Sequence, residues 1–142
     1  MSKILKDTEA AYAAGIFDGE GSVYVSSGRA LANGEKQFFL CVSINNTNEE
    51  MIRLMQSWFG GSISRTAETG NRKGLWRLRM YSRVARNFLT TVRPYLTIKH
   101  RQADLAIEFQ NGIEKGALTE AMKLELKTSI SAFNQKGIRL KA

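Results

Sequence analysis

The chain of 142 residues carries 21 Lys+Arg against 13 Asp+Glu, a formal charge of +8, and its length describes one basic domain over residues 1–142. A hydrophobic content of 43 % supports a core burying roughly 68–70 % of the unfolded surface, which excludes disorder; a single cysteine (Cys41) and a single histidine (His100) exclude a disulfide framework, a Cys/His zinc site and a redox pair. Any metal therefore sits on oxygen ligands, and with no apolar run near the roughly 18 residues of a membrane span and no signal-peptide core in MSKILKDTEAAY, a soluble intracellular protein of cytoplasm or organelle, without a membrane partner, is expected.

Thr8 to Phe17 reads as a helix, with Asp7 or Thr8 as N-cap and a small-residue run of Ala10, Ala11, Ala13, Ala14 and Gly15. It is expected to stop at Asp18-Gly19-Glu20-Gly21, where two glycines break the pattern. Ser22 to Ser27 then alternates as a strand, and Gln37 to Asn45 as its hairpin partner, with Phe38, Leu40, Val42 and Ile44 on one face. Thr47 or Asn48 caps a helix to Phe59, which Gly60-Gly61 ends. A second hairpin joins Ser62–Thr66 to Leu75–Tyr81 through a turn-rich stretch from Glu68 to Gly74. A short helix over Val84–Thr91 precedes the lone Pro94. Helical stripes follow at Leu105, Phe109 and Ile113, and at Met122, Leu126, Ile130 and Phe133. The order is helix, hairpin, helix, hairpin, helix, helix, an α+β chain whose hairpins form one antiparallel sheet with helices on its apolar side.

Period-two counting puts Tyr24, Ser26, Gln37, Phe39, Cys41, Ser43, Arg77 and Arg79 on the other side of that sheet. Between Gly61 and Arg101 the bases are Arg65, Arg72, Lys73, Arg77, Arg79, Arg83, Arg86, Arg93, Lys99 and Arg101, against the single acid Glu68. A basic, hydrogen-bonding face with a few aromatics suits a sheet laid in a DNA major groove, and Lys/Arg contacts to phosphates supply sequence-independent affinity. A merely solvated sheet face fits the same alternation. Arg29, Lys36, Ser64, Arg65 and the turn residues Arg72 and Lys73 complete the candidate DNA contacts. Trp58, Trp76 and Phe38 fall on apolar faces and read as core rather than as stacking platforms.

Asp18 and Glu20 sit at a helix C-terminus, where the macrodipole disfavours carboxylates by a few tenths to about one kcal/mol. A divalent cation would compensate, drawing on a carboxylate, a free terminal carbonyl and the close backbone approach allowed by Gly19 and Gly21. An ordinary helix stop with an Asp-Gly turn explains the same residues. Likewise Ala10 with Ala14, or Ala11 with Gly15, could let a second helix approach closely, although alanine is also simply the best helix former.

The run Ala13-Ala14-Gly15-Ile16-Phe17-Asp18-Gly19-Glu20-Gly21 resembles the LAGLIDADG signature of homing endonucleases, the intron- or intein-associated DNA cutters. The helix-hairpin-helix-hairpin order after it matches that family's core over nearly the whole chain. The resemblance implies a homodimer paired through the motif helix, with Ala11, Ala14, Gly15 and Asp18 at the interface. Each chain would supply Glu20 as metal ligand and the Gly19 carbonyl beside it, while Asp18 orients or caps rather than ligates. Lys99 matches the family's lysine that polarises the attacking water or stabilises charge at the phosphate, and Asn46, with Asn45 as rival, matches a polar residue closing the second strand. Ala13 replaces leucine and Glu20 replaces aspartate in the usual motif, and Glu49 and Glu50 occupy a place where relatives carry a base, a role left to Arg53 or absent.

The function so implied is hydrolysis of one phosphodiester per strand of a near-palindromic double-stranded DNA target, with Mg2+ as cofactor, Mn2+ or Ca2+ able to occupy the same site, and no small-molecule cofactor. The competing readings are a non-cleaving RNA maturase or DNA-binding regulator on the same fold, and a basic ribosome-associated domain with a chance motif.

Overall fold

Period-two alternation carries the sheet. In the computed structural model, which describes residues 4–30, 32–67, 70 and 74–139, strands β1 (Gly21–Ala30), β2 (Lys36–Asn46), β3 (Ser62–Thr66) and β4 (Leu75–Tyr81) pair antiparallel in the order β1-β2-β4-β3. The two hairpins thus join through their second strands. Val23, Val25, Leu40, Val42, Ile44, Leu78 and Met80 all point to one side and are buried there. Each such side chain removed from water stabilises the fold by about 1.5–3 kcal/mol.

Helices α1 (Asp7–Glu20), α2 (Glu49–Phe59), α3 (Ser82–Val92), α4 (His100–Lys115) and α5 (Glu120–Arg139) complete the fold, with a 3-10 turn at Arg93–Tyr95. Three helices therefore follow the second hairpin, one more than the expected order held. Phe17, Ile52, Met55, Phe88 and Phe109 bring α1 to α4 onto the apolar side of the sheet. Trp58 and Phe38 are buried there as core, and Trp76 is half-buried with Arg53 and Arg65 over its ring at 5.4 and 5.3 Å. In the α5 stripe only Ile130 is fully buried; Met122 is exposed. Instead α5 lies along β1, which is an edge strand, with the Asn134 amide donating to the Val23 carbonyl at 2.9 Å and the Lys127 ammonium to Ser27 Oγ at 2.9 Å. Covering an edge in this way removes a template for unwanted strand pairing.

Helix starts are set by different devices. Asn48 caps α2 by accepting from the Met51 amide at 3.0 Å, as expected of an Asn at that place. At α1 the N-cap is Lys6 rather than Asp7 or Thr8: the Glu9 carboxylate accepts from the Lys6 amide at 3.0 Å, so the cap amide is satisfied from the third helical position. The same helix runs through Glu20, three residues past the expected stop, because tertiary contacts hold its last turn more strongly than Gly19 weakens it. Gly21 then makes the turn into β1 possible, since a Cβ there would fall 2.3 Å from the Phe17 ring.

Candidate active site and nucleic-acid interface

The two acids at the end of α1 have separate fates. The Asp18 carboxylate accepts from the backbone amides of Thr97 (2.8 Å), Ile98 (3.3 Å) and Lys99 (3.0 Å), the bend that leads into α4. A carboxylate at the negative end of one helix is thereby placed at the positive end of another. Lys99 returns the contact: its ammonium donates to the Asp18 carbonyl at 2.6 Å and lies 5.8 Å from the Phe17 ring centroid. That carbonyl is one of those left without a partner at a helix C-terminus. Burial pushes the Lys99 pKa below the ordinary lysine value, opposed by the nearby charges of Asp18 and Glu20.

Glu20 is exposed and makes no hydrogen bond among the described residues, and a Cβ at Gly19 would meet open space. These donors suit a hard divalent cation: a free carboxylate and the adjoining helix-terminal backbone, beside a fixed ammonium. One chain brings a single carboxylate to the spot, and no group of three His, Cys, Asp or Glu occurs among the described residues. The described residues of one chain therefore offer only part of a coordination shell.

Register places the remaining candidates. Gly21 pairs with Ile44, so Glu20 stands at the end of the sheet where β2 finishes in Asn45 and Asn46. Asn46 Oδ1 accepts from the Asn48 amide at 2.8 Å, shaping the turn into α2 and leaving its side-chain amide uncommitted. Asn45 Oδ1 accepts from Arg77 Nε at 2.9 Å and from Ser43 Oγ at 3.2 Å. Sequence reading treated Asn45 only as a rival to Asn46; its role is to brace Arg77.

The open face of the sheet is a set of cross-strand rows. Beginning at the Glu20 end they are Asn45–Arg77–Ser64, then Ser22–Ser43–Arg79–Ser62, then Tyr24–Cys41–Tyr81, then Ser26–Phe39, with Gln37 beyond. None of these residues is acidic. Arg79 Nε is buried without a hydrogen-bond partner. The Tyr24 hydroxyl bonds the Cys41 sulfur, which with burial pushes the phenol up to about 12, while burial pushes the Cys41 thiol up. Cys41 keeps the open-face register expected of it but is buried rather than exposed there. Tyr81, whose ring is 6.0 Å from Phe39, belongs to this face and was missed, although the count that found Arg77 and Arg79 reaches it.

Several expected contacts fall elsewhere. Ser43 is only 6 % exposed, so it supports Asn45 rather than forming surface. Arg65 pairs across from Trp76, not Arg77, and therefore lies on the helix side, because alternation gives the open face to Ser64. Lys36 is exposed at the hairpin tip, where its amide donates to the Glu120 carboxylate. Arg72, Lys73 and the side chain of Arg29 lie outside the described residues. On α1, Ala14 is fully buried in the chain's own core and Asp18 is committed to α4. Ala11 and Gly15 remain exposed, one turn apart.

No protein-family model matches the sequence, and no curated protein does. Solved structures do match. The homing endonuclease I-CvuI, in complex with its target in the presence of calcium, superposes with a TM-score of 0.75 at 16 % identity over 89 % of this chain and 82 % of that one. The archaeal intron-encoded homing endonuclease I-Vdi141I, complexed with DNA, gives 0.73 at 22 % identity over 89 % and 84 %. The fold is that of the LAGLIDADG homing endonucleases. I-SmaMI, bound to an uncleaved DNA target in the presence of calcium, gives 0.60 at 19 % identity, and this chain spans 89 % of its own length but 45 % of that larger protein. In the LAGLIDADG fold so assigned, the motif helix is α1 and the open face is the four-stranded sheet described above. No helix among the described residues is long and apolar enough to cross a membrane.

Proposed function

We propose that two copies of this chain form a divalent-metal-dependent endonuclease that hydrolyses one phosphodiester in each strand of a near-palindromic duplex target. One observation carries the reading: Lys99, fixed against the Asp18 carbonyl, lies within reach of the charge of Glu20 at the end of a sheet whose open face bears Arg77 and Arg79 and no acid. Glu20 and the Gly19 carbonyl bind the cation, Mg2+ in the reaction, with Mn2+ or Ca2+ able to take its place. When bound, the cation supplies Lewis acidity for in-line hydrolysis. Lys99, fixed by its hydrogen bond to the Asp18 carbonyl, directs positive charge toward the scissile phosphate, and the free amide of Asn46 hydrogen-bonds there.

The single carboxylate per chain supports a dimer, since a second copy supplies the second Glu20. So does the match to about half of I-SmaMI, a chain with room for two such units. Ala11 and Gly15 are the small, exposed positions through which α1 meets its counterpart. Two copies carry +16 (2 × 8), so log K for duplex binding falls with log salt by about 0.9 for each phosphate neutralised.

Selection of cleaved sites from a randomised duplex library in Mg2+, with a chelator control, tests this reading. Near-palindromic cleaved sites that disappear with chelator are expected. Duplexes bound and never cut, in Mg2+ or Mn2+, would instead establish a non-cleaving regulator.

A further inference from the structure

We infer that Asp18 is a positioning residue for cleavage, gripping Lys99 at its backbone amide and at its ammonium and so fixing the ammonium relative to Glu20. The inference rests on the proposed function and adds to it a residue that acts through another. The Asp18 carboxylate accepts from the Lys99 amide at 3.0 Å, together with those of Thr97 (2.8 Å) and Ile98 (3.3 Å), while the Asp18 carbonyl accepts from the Lys99 ammonium at 2.6 Å. Both anchors belong to one residue, and Gly19 and Glu20 follow it directly on the same helix. No substitution at position 18 removes that carbonyl. Loss of the carboxylate instead frees the bend at residues 97–99, and the bend carries the ammonium away with it.

The rules of helix capping point the same way. Lys99 is the N-cap of α4, a place that favours Ser, Thr, Asp or Asn, and its side chain makes no capping bond. A lysine there gives the start of α4 no acceptor, and Asp18 supplies one from 81 residues away. Leu96, buried just before the bend, and the Phe17 ring, 5.8 Å from the ammonium, hold the segment on its apolar side. A lysine stem is flexible, so fixing both its ends gives up rotamer freedom before substrate arrives. That is useful where charge must meet a developing charge without reorganisation, since a misplacement of about 1 Å costs on the order of 100-fold in rate.

The test measures single-turnover cleavage and duplex affinity in saturating Mg2+, on a site selected by the wild type, for the full-length wild type, Asp18→Asn, Lys99→Met and the double variant. Asp18→Asn keeps the side chain's size and replaces an acceptor oxygen by a donor. It should lower the cleavage rate at saturating duplex by about 10- to 100-fold, with Kd within about twofold of wild type. In the Lys99→Met background the same substitution should cost no more than about twofold, because the residue it positions is gone. Hydrogen exchange without metal reads the grip itself: the amides of Thr97, Ile98 and Lys99 should exchange about tenfold faster in Asp18→Asn. Were Asp18→Asn not to fold, Asp18→Glu, which keeps the charge and moves its oxygens by one methylene, carries the same test with a loss of about tenfold. Wild-type rates in the Asp18 variants or in Lys99→Met, unchanged exchange, or losses that multiply in the double variant would make Asp18 only a tie between α1 and α4; the inference is then overturned and the endonuclease reading stands. No cleavage by the wild type overturns both.

Discussion

The junction of α1 with α4 and the open face of the sheet treat charge in opposite ways. At the junction Asp18 and Lys99 are matched within the protein: Asp18 accepts three amides, and Lys99 donates to the Asp18 carbonyl. On the sheet, Arg79 leaves a buried N–H unmatched, and the rows around Arg77 and Arg79 contain no acid. Matched charge fixes the position of a lysine beside Glu20. Unmatched charge is free to meet a ligand, and the difference separates the residues that build the site from those proposed to meet DNA.

Asp18→Ala breaks the matched side of the comparison. It removes the acceptor of three amides and should destabilise the protein by about 2–3 kcal/mol, read as a lower denaturant midpoint. Arg79→Met acts in the other direction, since removing an unsatisfied buried donor should stabilise the free protein by about 1 kcal/mol while weakening duplex binding. A loss of stability in Arg79→Met would show that its guanidinium has a structural role. Gly15→Ala sharpens the reading of α1: a Cβ there meets nothing within the chain, so helix propensity should add about 1 kcal/mol to the monomer, while sedimentation shows a weaker dimer. The smallest effect concerns the exposed pair Arg93–Asp104, a bidentate contact that holds the Asp104 pKa below the usual carboxylate value. Its contribution is present above about pH 3.9 and is lost as pH falls through the lowered folded value, so Asp104→Asn should lower stability slightly at neutral pH, leave strongly acidic pH unchanged, and thereby flatten the acid limb of the stability curve.

Strand faces were legible in the sequence because alternation has a period of two and burial enforces it: Val23, Val25, Leu40, Val42, Ile44, Leu78 and Met80 all lie where counting puts them. The same count assigns Arg65 to the helix side and Tyr81 to the open face. Small helix residues are different. Ala10, Ala11, Ala14 and Gly15 are alike in sequence, and only the packing of α1 separates buried Ala14 from exposed Ala11 and Gly15. The acids at the end of α1 signalled that something compensates them, but not that a backbone bend some eighty residues away would do so for Asp18. The brace from Asn45 to Arg77 spans 32 residues and depends on strand register, which no local pattern encodes.

The central claim is that Glu20 of each copy holds the metal for cleavage and is not needed to hold the DNA. The direct measurement is duplex binding and double-strand cleavage by Glu20→Gln on a site selected by the wild type. Binding within about twofold of wild type with cleavage abolished in Mg2+ is the predicted result. Cleavage surviving in Glu20→Gln, or persisting in the wild type after chelation, would contradict the account.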